Sequence, residues 1–144
     1  MKNKQTGVAL VEFALVLPLL LILTFIVTEY SRALYEYNTL TKSVRDAARY
    51  LSIQTPNDTT KYLIAKNLVV YGTPAGSGAP LAIGLTTIAQ VPDPDWKWVG
   101  APLIHTVTIT IPGYTFKPLV ASVFGLNFGN LPYAPISATM RAKS

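Results

Sequence analysis

The chain has 144 residues, half of them hydrophobic, with no cysteine, one histidine and a formal net charge of +5. That length suits one modest domain; the cysteine count excludes a disulfide framework and a thiolate metal site, and the lone His105 excludes a histidine cluster for zinc. Lys2 and Lys4 supply two of the 12 basic side chains at the extreme N-terminus, and the remaining excess over 7 acidic ones is too mild for nucleic-acid binding, which needs a clustered basic stripe.

The most informative stretch is "GVALVEFALVLPLLLILTFIVT", residues 7–28. From Val8 to Thr28 it has 21 residues and one ionisable side chain, Glu12. A bilayer needs about 20 apolar residues, so a membrane helix is expected. The basic "MKNK" before it holds the N-terminus in the cytoplasm and sends the rest across. A secretory signal peptide also has a basic start and an apolar core, but this run exceeds the usual span of about 7–15 residues and no small-x-small site closes it. Pro18 lies mid-span and reads as a kink, because neighbouring groups in a membrane bundle satisfy the freed carbonyl. Beyond Thr28 the pattern becomes amphipathic, with Tyr30, Leu34, Tyr37, Leu40, Val44, Ala47 or Ala48, and Leu51 on one stripe, which predicts one helix over residues 8–52. Glu29 with Arg32, Arg32 with Glu36, and Asp46 with Arg49 are at helical spacing and read as a solvated face.

Glu12 is anomalous, since a carboxylate facing lipid costs roughly 2.5–3.5 kcal/mol on insertion scales. Snorkelling toward the interface is one solution. Gly7 suggests another, because cleavage after this small residue makes Val8 the new N-terminus and Glu12 its fifth residue. The α-amine of one subunit then pairs with Glu12 of its neighbour, so that neither charge is buried alone.

The set Gly7, Val8, Glu12 and Phe13 resembles the type IV prepilin signal. The resemblance extends over residues 7–52 to TadE-like proteins, the minor pseudopilins of tight-adherence (Tad/Flp) pilus systems. Glu12, Phe13, Pro18, Glu29, Arg32, Asn38, Thr39 and the run Arg45–Tyr50 carry it. The resemblance implies an inner-membrane precursor trimmed by a prepilin peptidase, Glu12 as the assembly charge, and Phe13 and Pro18 as packing residues. It implies other major and minor pilins and the pilus assembly platform as partners, with a separate ATPase driving assembly, and no cofactor and no nucleic acid. The chain then divides into a leader (1–7), the long helix (8–52) and an exported domain (53–144).

Pro56 breaks the helix and Asp58 or Thr59 caps a second one over residues 60–71, with Tyr62, Leu63, Ala65 and Leu68 or Val69 inward and Gly72 ending it. "NDT" at 57–59 is formally a glycosylation sequon, discounted because the resemblance points to a bacterial envelope. "GTPAGSGAP" (72–80) is a loop; no Lys-Ser/Thr pair follows it and no strand leads in, so it is no phosphate cradle. The period then changes to 2. Strands are expected at 84–91, at 105–111 with Val107, Ile109 and Ile111 on one face, and at 135–143 with Ile136, Ala138, Met140 and Ala142 inward. His105 opens the middle strand as a core or interface residue. "VPDPDWKWVG" (91–100) places Trp96 and Trp98 on one side if extended, either as a β-edge or loop with its aromatics packed on the core or as an exposed pair that grips a neighbouring subunit or a surface ligand. "TFKPLVASVFG" (115–125) has Phe116, Leu119, Val120, Val123 and Phe124 at helical spacing, a short amphipathic helix that covers the sheet or touches the membrane surface.

The fold expected is α+β and pilin-like: a long N-terminal helix, a second helix and a small antiparallel sheet packed on the first. No Ser, His and Asp set falls in a recognisable frame, so an enzyme is not expected and no catalytic or metal residue is assigned. Three functions remain in contention: a minor pseudopilin, a membrane-anchored periplasmic accessory protein that never enters a filament, and a surface adhesin module using Trp96 and Trp98.

Overall fold

The computed structural model describes residues 3–143, and the side chains from residue 7 to residue 143. Lys2 and the side chain of Lys4, on which the basic-leader expectation rests, lie outside the described residues. Helix α1 spans Asn3–Ser52 and continues through Pro18. The few hydroxyls along its apolar and middle turns are satisfied within the helix. Thr24 Oγ1 donates to the Leu20 carbonyl and Thr28 Oγ1 to that of Thr24, each at 2.8 Å. Such back-bonding lets a hydroxyl sit in an apolar run without a partner from outside. The helix is long and apolar enough to cross a membrane, and the most apolar stretch of it is not buried.

The chain forms two compact units. The larger comprises Tyr35–Lys117 with the chain from Asn130 onward. Its share of α1 buries Glu36, Leu40, Ser43, Val44, Ala47, Ala48 and Leu51. The lower half of the expected stripe is therefore correct and the upper half is not. Tyr30, Leu34 and Tyr37 are exposed, while Glu29, Ala33 and Glu36 lie on the buried side, so the seam is turned by one residue and the glutamates are not a solvated face. Helix α2 spans Thr59–Tyr71, with Asp58 as N-cap and Gly72 closing it at φ 71°, a left-handed conformation that glycine adopts without Cβ strain. Its buried residues are Ala65, Val69 and Val70; Leu63, expected inward, is exposed.

No strand forms at 84–91. A 3₁₀ turn at Ile88–Gln90 follows an isolated bridge between Ala82 and Leu85. The reason is the Gln90 side chain. Its Oε1 accepts from the amides of Thr86 and Thr87 at 2.8 and 3.0 Å, and its Nε2 donates to the Gly84 carbonyl at 3.0 Å. One side chain thus supplies the backbone partners that a neighbouring strand would have offered.

The main sheet is built from β1 (Asp95–Val99), β2 (Ile104–Ile111) and, far along the chain, β7 (Ile136–Arg141), antiparallel in the order β1-β2-β7. Strand β2 alternates strictly, burying His105, Val107, Ile109 and Ile111. Its outward threonines face water, and Thr108 shares a 2.8 Å hydroxyl contact with Thr139 of β7. A short pair, β3 (Thr115–Phe116) with β6 (Leu131–Pro132), extends the unit. The sheet and α1 meet at named points: the Lys143 amide donates to the Ser52 carbonyl at 2.8 Å, and Tyr133 meets Tyr37 edge to face at 5.4 Å.

The smaller unit comprises the chain through Leu34 and Pro118–Gly129. The amphipathic helix expected at 115–125 is absent. In its place β4 (Ser122–Val123) and β5 (Leu126–Asn127) form a hairpin, extended by a 2.9 Å bond from the Phe128 amide to the Ala121 carbonyl. The two-residue turn, Phe124 at φ 48° and Gly125 at φ 83°, has the positive dihedrals of the tight turns that match strand twist. Pro118 and Gly125 leave too few residues between them for a helix to repay its nucleation.

Candidate functional site

The residues singled out at the N-terminus lie together along α1. Gly7 is surrounded by open space, so the chain is unobstructed there. Val8 and Phe13 are each 60% exposed, Glu12 is exposed, and Pro18 is half-buried. Among the described residues Glu12 makes no hydrogen bond and no ion pair. It is a carboxylate on the open side of an apolar helix, available to a positive group from outside.

Farther along the helix, within the smaller unit, Glu29 has a different environment. It is 6% exposed, and its carboxylate accepts from Arg32 Nη1 at 2.7 Å and from the amides of Leu119 and Val120 at 3.3 Å each. The Arg32 pair was expected from spacing. The two amides come from a segment ninety residues away and were not.

In the larger unit Glu36, 7% exposed, accepts from the Tyr114 hydroxyl at 2.6 Å, and the Gly84 amide donates to that same hydroxyl oxygen at 3.4 Å. Tyr133 lies 5.3 Å from the Tyr114 ring, between it and Tyr37. Burial, and then the hydrogen bond to Glu36, pushes the Tyr114 hydroxyl well above its ordinary value. Tyr133 is raised by burial and by the Glu36 charge. The hydroxyl of Tyr114 therefore remains a protonated donor throughout the neutral range, which suits a structural clamp. One signal for both glutamates was present in the sequence: Glu29, Ala33, Glu36 and Leu40 recur at helical spacing as regularly as the stripe of tyrosines beside them.

Trp96 and Trp98 do lie on one face, in edge strand β1, opposite Val107 and His105. His105 ties them together, stacked on Trp98 at 4.4 Å and 11° and tilted against Trp96 at 5.3 Å. Trp96 is half-buried, and its Nε1 is buried with no hydrogen-bond partner among the described residues, whereas Trp98 is 60% exposed. The two readings of this pair divide between its members: Trp96 packs and Trp98 faces solvent. A cleft of about 230 Å³ lined by Lys42, Asp46, Leu68 and Leu81 is smaller than the roughly 300–1,000 Å³ of small-molecule sites.

No curated protein and no solved structure matches the chain. Residues 7–49 match the model of the family described as TadE-like protein, so that over this stretch of α1, from Gly7 through Glu12, Glu29 and Glu36 to Arg49, the chain is similar to TadE-like proteins.

Proposed function

We propose that the protein is a minor pseudopilin of a Tad/Flp-type pilus, with a structural and not an enzymatic role. In this reading the helix is inserted in the bacterial inner membrane with its N-terminus in the cytoplasm and the domain outside. A prepilin peptidase trims the chain between Gly7 and Val8, the assembly platform receives it, and it joins major and minor pilins at the start or tip of a filament. The match at residues 7–49 supports the pilus context. The observation that carries the assembly step is Glu12, exposed and unpartnered among the described residues and the one ionisable side chain between Val8 and Thr28. A lone membrane anchor gains nothing from that carboxylate, whereas a helix bundle can pair it with a neighbour's α-amine. Phe13 and Pro18 would pack in the same bundle.

Mass spectrometry of the membrane-purified chain should find Val8 as its first residue, and Gly7→Val should abolish trimming without affecting insertion. Normal trimming of Gly7→Val removes the prepilin reading. Sheared filaments should contain the trimmed chain; a trimmed chain confined to the membrane would instead identify an accessory protein that never enters the filament. A second reading, a surface module that binds a ligand, rests on the exposure of Trp98, and loss of surface adhesion in Trp98→Ala with filaments intact would establish it.

A further inference from the structure

The hairpin unit presents an apolar surface that the proposed assembly role leaves unused. Leu119, Phe124 and Leu126 are 69%, 63% and 50% exposed. The whole segment Pro118–Gly129 contains no ionisable residue. An exposed loop facing only water ordinarily carries charge, and clustered exposed apolar side chains without it mark a surface that something covers.

The position of the hairpin identifies the cover. Its backbone is fastened to Glu29 through the amides of Leu119 and Val120, at 3.3 Å each. Glu29 is the first residue after the apolar run that ends at Thr28. On the same side of the helix, one turn and two turns before Glu29, Phe25 and Ile22 are partly buried, although Phe13 is 60% exposed. Among the described residues the part of this unit outside the helix is Pro118–Gly129, so the bonds to Glu29 hold the hairpin at the outer end of the apolar run, one residue beyond Thr28. Tyr30, 61% exposed at the same height, is the amphipathic ring expected at a lipid–water boundary.

We infer that the Pro118–Gly129 hairpin is a second membrane contact, held by Glu29 at the outer end of the spanning helix so that Leu119, Phe124 and Leu126 enter the boundary between headgroups and acyl chains. This rests on α1 crossing the membrane as proposed above. Glu29 serves as a positioning residue: a buried carboxylate that fixes the height of the hairpin through two amides while Arg32 balances its charge. Short apolar segments of this kind bind at the interface without spanning it. They restrict rotation and tilt of the helix to which they are attached, which a single spanning helix leaves free.

The absence of cysteine permits a clean test on the full chain in phosphatidylcholine–phosphatidylglycerol vesicles. Single variants Leu19→Cys, Phe124→Cys, Leu126→Cys and Leu63→Cys are labelled with a bimane and challenged with iodide in water and with lipids brominated near the headgroup or at mid-chain. Leu19 reports the anchor and Leu63, exposed on α2, reports the aqueous domain. The expected result is quenching of the Phe124 and Leu126 labels by shallow brominated lipid, with iodide quenching reduced by half or more relative to Leu63. Adding Glu29→Ala should lower lipid quenching at Phe124 by half or more while leaving Leu19 unchanged. Lipid quenching at Leu19 with iodide access at Phe124 and Leu126 equal to that at Leu63 overturns the inference and leaves the anchor standing. Protection of Phe124 from iodide and lipid alike, with cross-linking between copies, also overturns it, in favour of a subunit contact. Absence of lipid quenching at Leu19 removes the anchor and this inference with it.

Discussion

Tyr114→Phe isolates one buried polar contact. The substitution keeps the ring, which packs 5.3 Å from Tyr133, and deletes only the hydroxyl that donates to Glu36 at 2.6 Å. Tyr114 and Glu36 are 4% and 7% exposed, so water cannot readily replace the lost donor. A hydrogen bond to a charged group contributes about 1.5–3 kcal/mol. The expected loss is about 2 kcal/mol, or roughly 10 °C in Tm for a domain of this size. Trp96 and Trp98 report unfolding of the same unit by fluorescence, so the assay is urea denaturation of the full chain in vesicles with the slope held constant. Tyr62→Phe is the control, since its hydroxyl has no partner among the described residues; it should change stability by no more than about 0.5 kcal/mol. The raised Tyr114 adds a pH signature. Above the ordinary tyrosine value near 10 the unfolded chain releases this proton while the folded chain keeps it, so the folded state binds more protons and stability falls as pH rises. That contribution is complete below about pH 10, and its decline above it should be shallower in Tyr114→Phe. Equal stability of Tyr114→Phe and Tyr62→Phe would refute the clamp.

Gly84→Ala should destabilise by about 1–3 kcal/mol in the same denaturation assay, because a Cβ there falls 2.8 Å from the Thr115 carbonyl oxygen and 2.9 Å from the Tyr114 ring. Asp58 caps α2 by accepting from the Thr60 amide at 3.0 Å and the Thr60 hydroxyl at 2.6 Å, and the bond from that hydroxyl holds its carboxyl below the ordinary value. Its contribution is therefore present above about pH 4 and lost as pH falls through the lower folded value; Asp58→Asn, which caps without titrating, should flatten that acid limb in circular dichroism. Glu12→Ala should insert at least as well as the parent, be trimmed normally and fail to enter filaments, whereas Phe13→Ala should show a weaker assembly defect, both read in a strain lacking the parent chain.

The features legible in the sequence are those decided locally. The apolar run, the Asp58 cap, the Gly72 stop and the alternation of β2 each depend on neighbours within a few residues, and each appears where the pattern placed it. What escaped the pattern was decided by distant or competing partners. Gln90 folds back on its own loop and cancels a strand that alternation favoured. Positive φ at Phe124 and Gly125 turns an apparent helix face into a hairpin. The place beside β2 that 84–91 leaves vacant is taken by β1, the edge strand that 91–100 offered as one alternative, with Trp98 stacked on His105. The charge of Glu29 and Glu36 favours a solvated face, and only donors far along the chain, the Leu119 and Val120 amides and the Tyr114 hydroxyl, let them be buried instead.

Three glutamates on one helix therefore meet the same cost of leaving water in three ways. Glu36 takes a tyrosine hydroxyl, and Glu29 takes an arginine and two backbone amides; both are buried with donors from their own unit. Glu12 lies in the most apolar stretch of the chain, where such a cost is highest, and has no donor among the described residues. Within each compact unit the fold supplies a donor to the glutamate it buries, so the missing partner of Glu12 is best sought outside this chain. In the proposed reading that partner is the newly freed α-amine of Val8 on a neighbouring helix, four positions before Glu12, and its formation requires cleavage after Gly7. In that reading processing and assembly are linked by a single ion pair: an untrimmed subunit would present a peptide bond where the amine should be, and could not satisfy its neighbour.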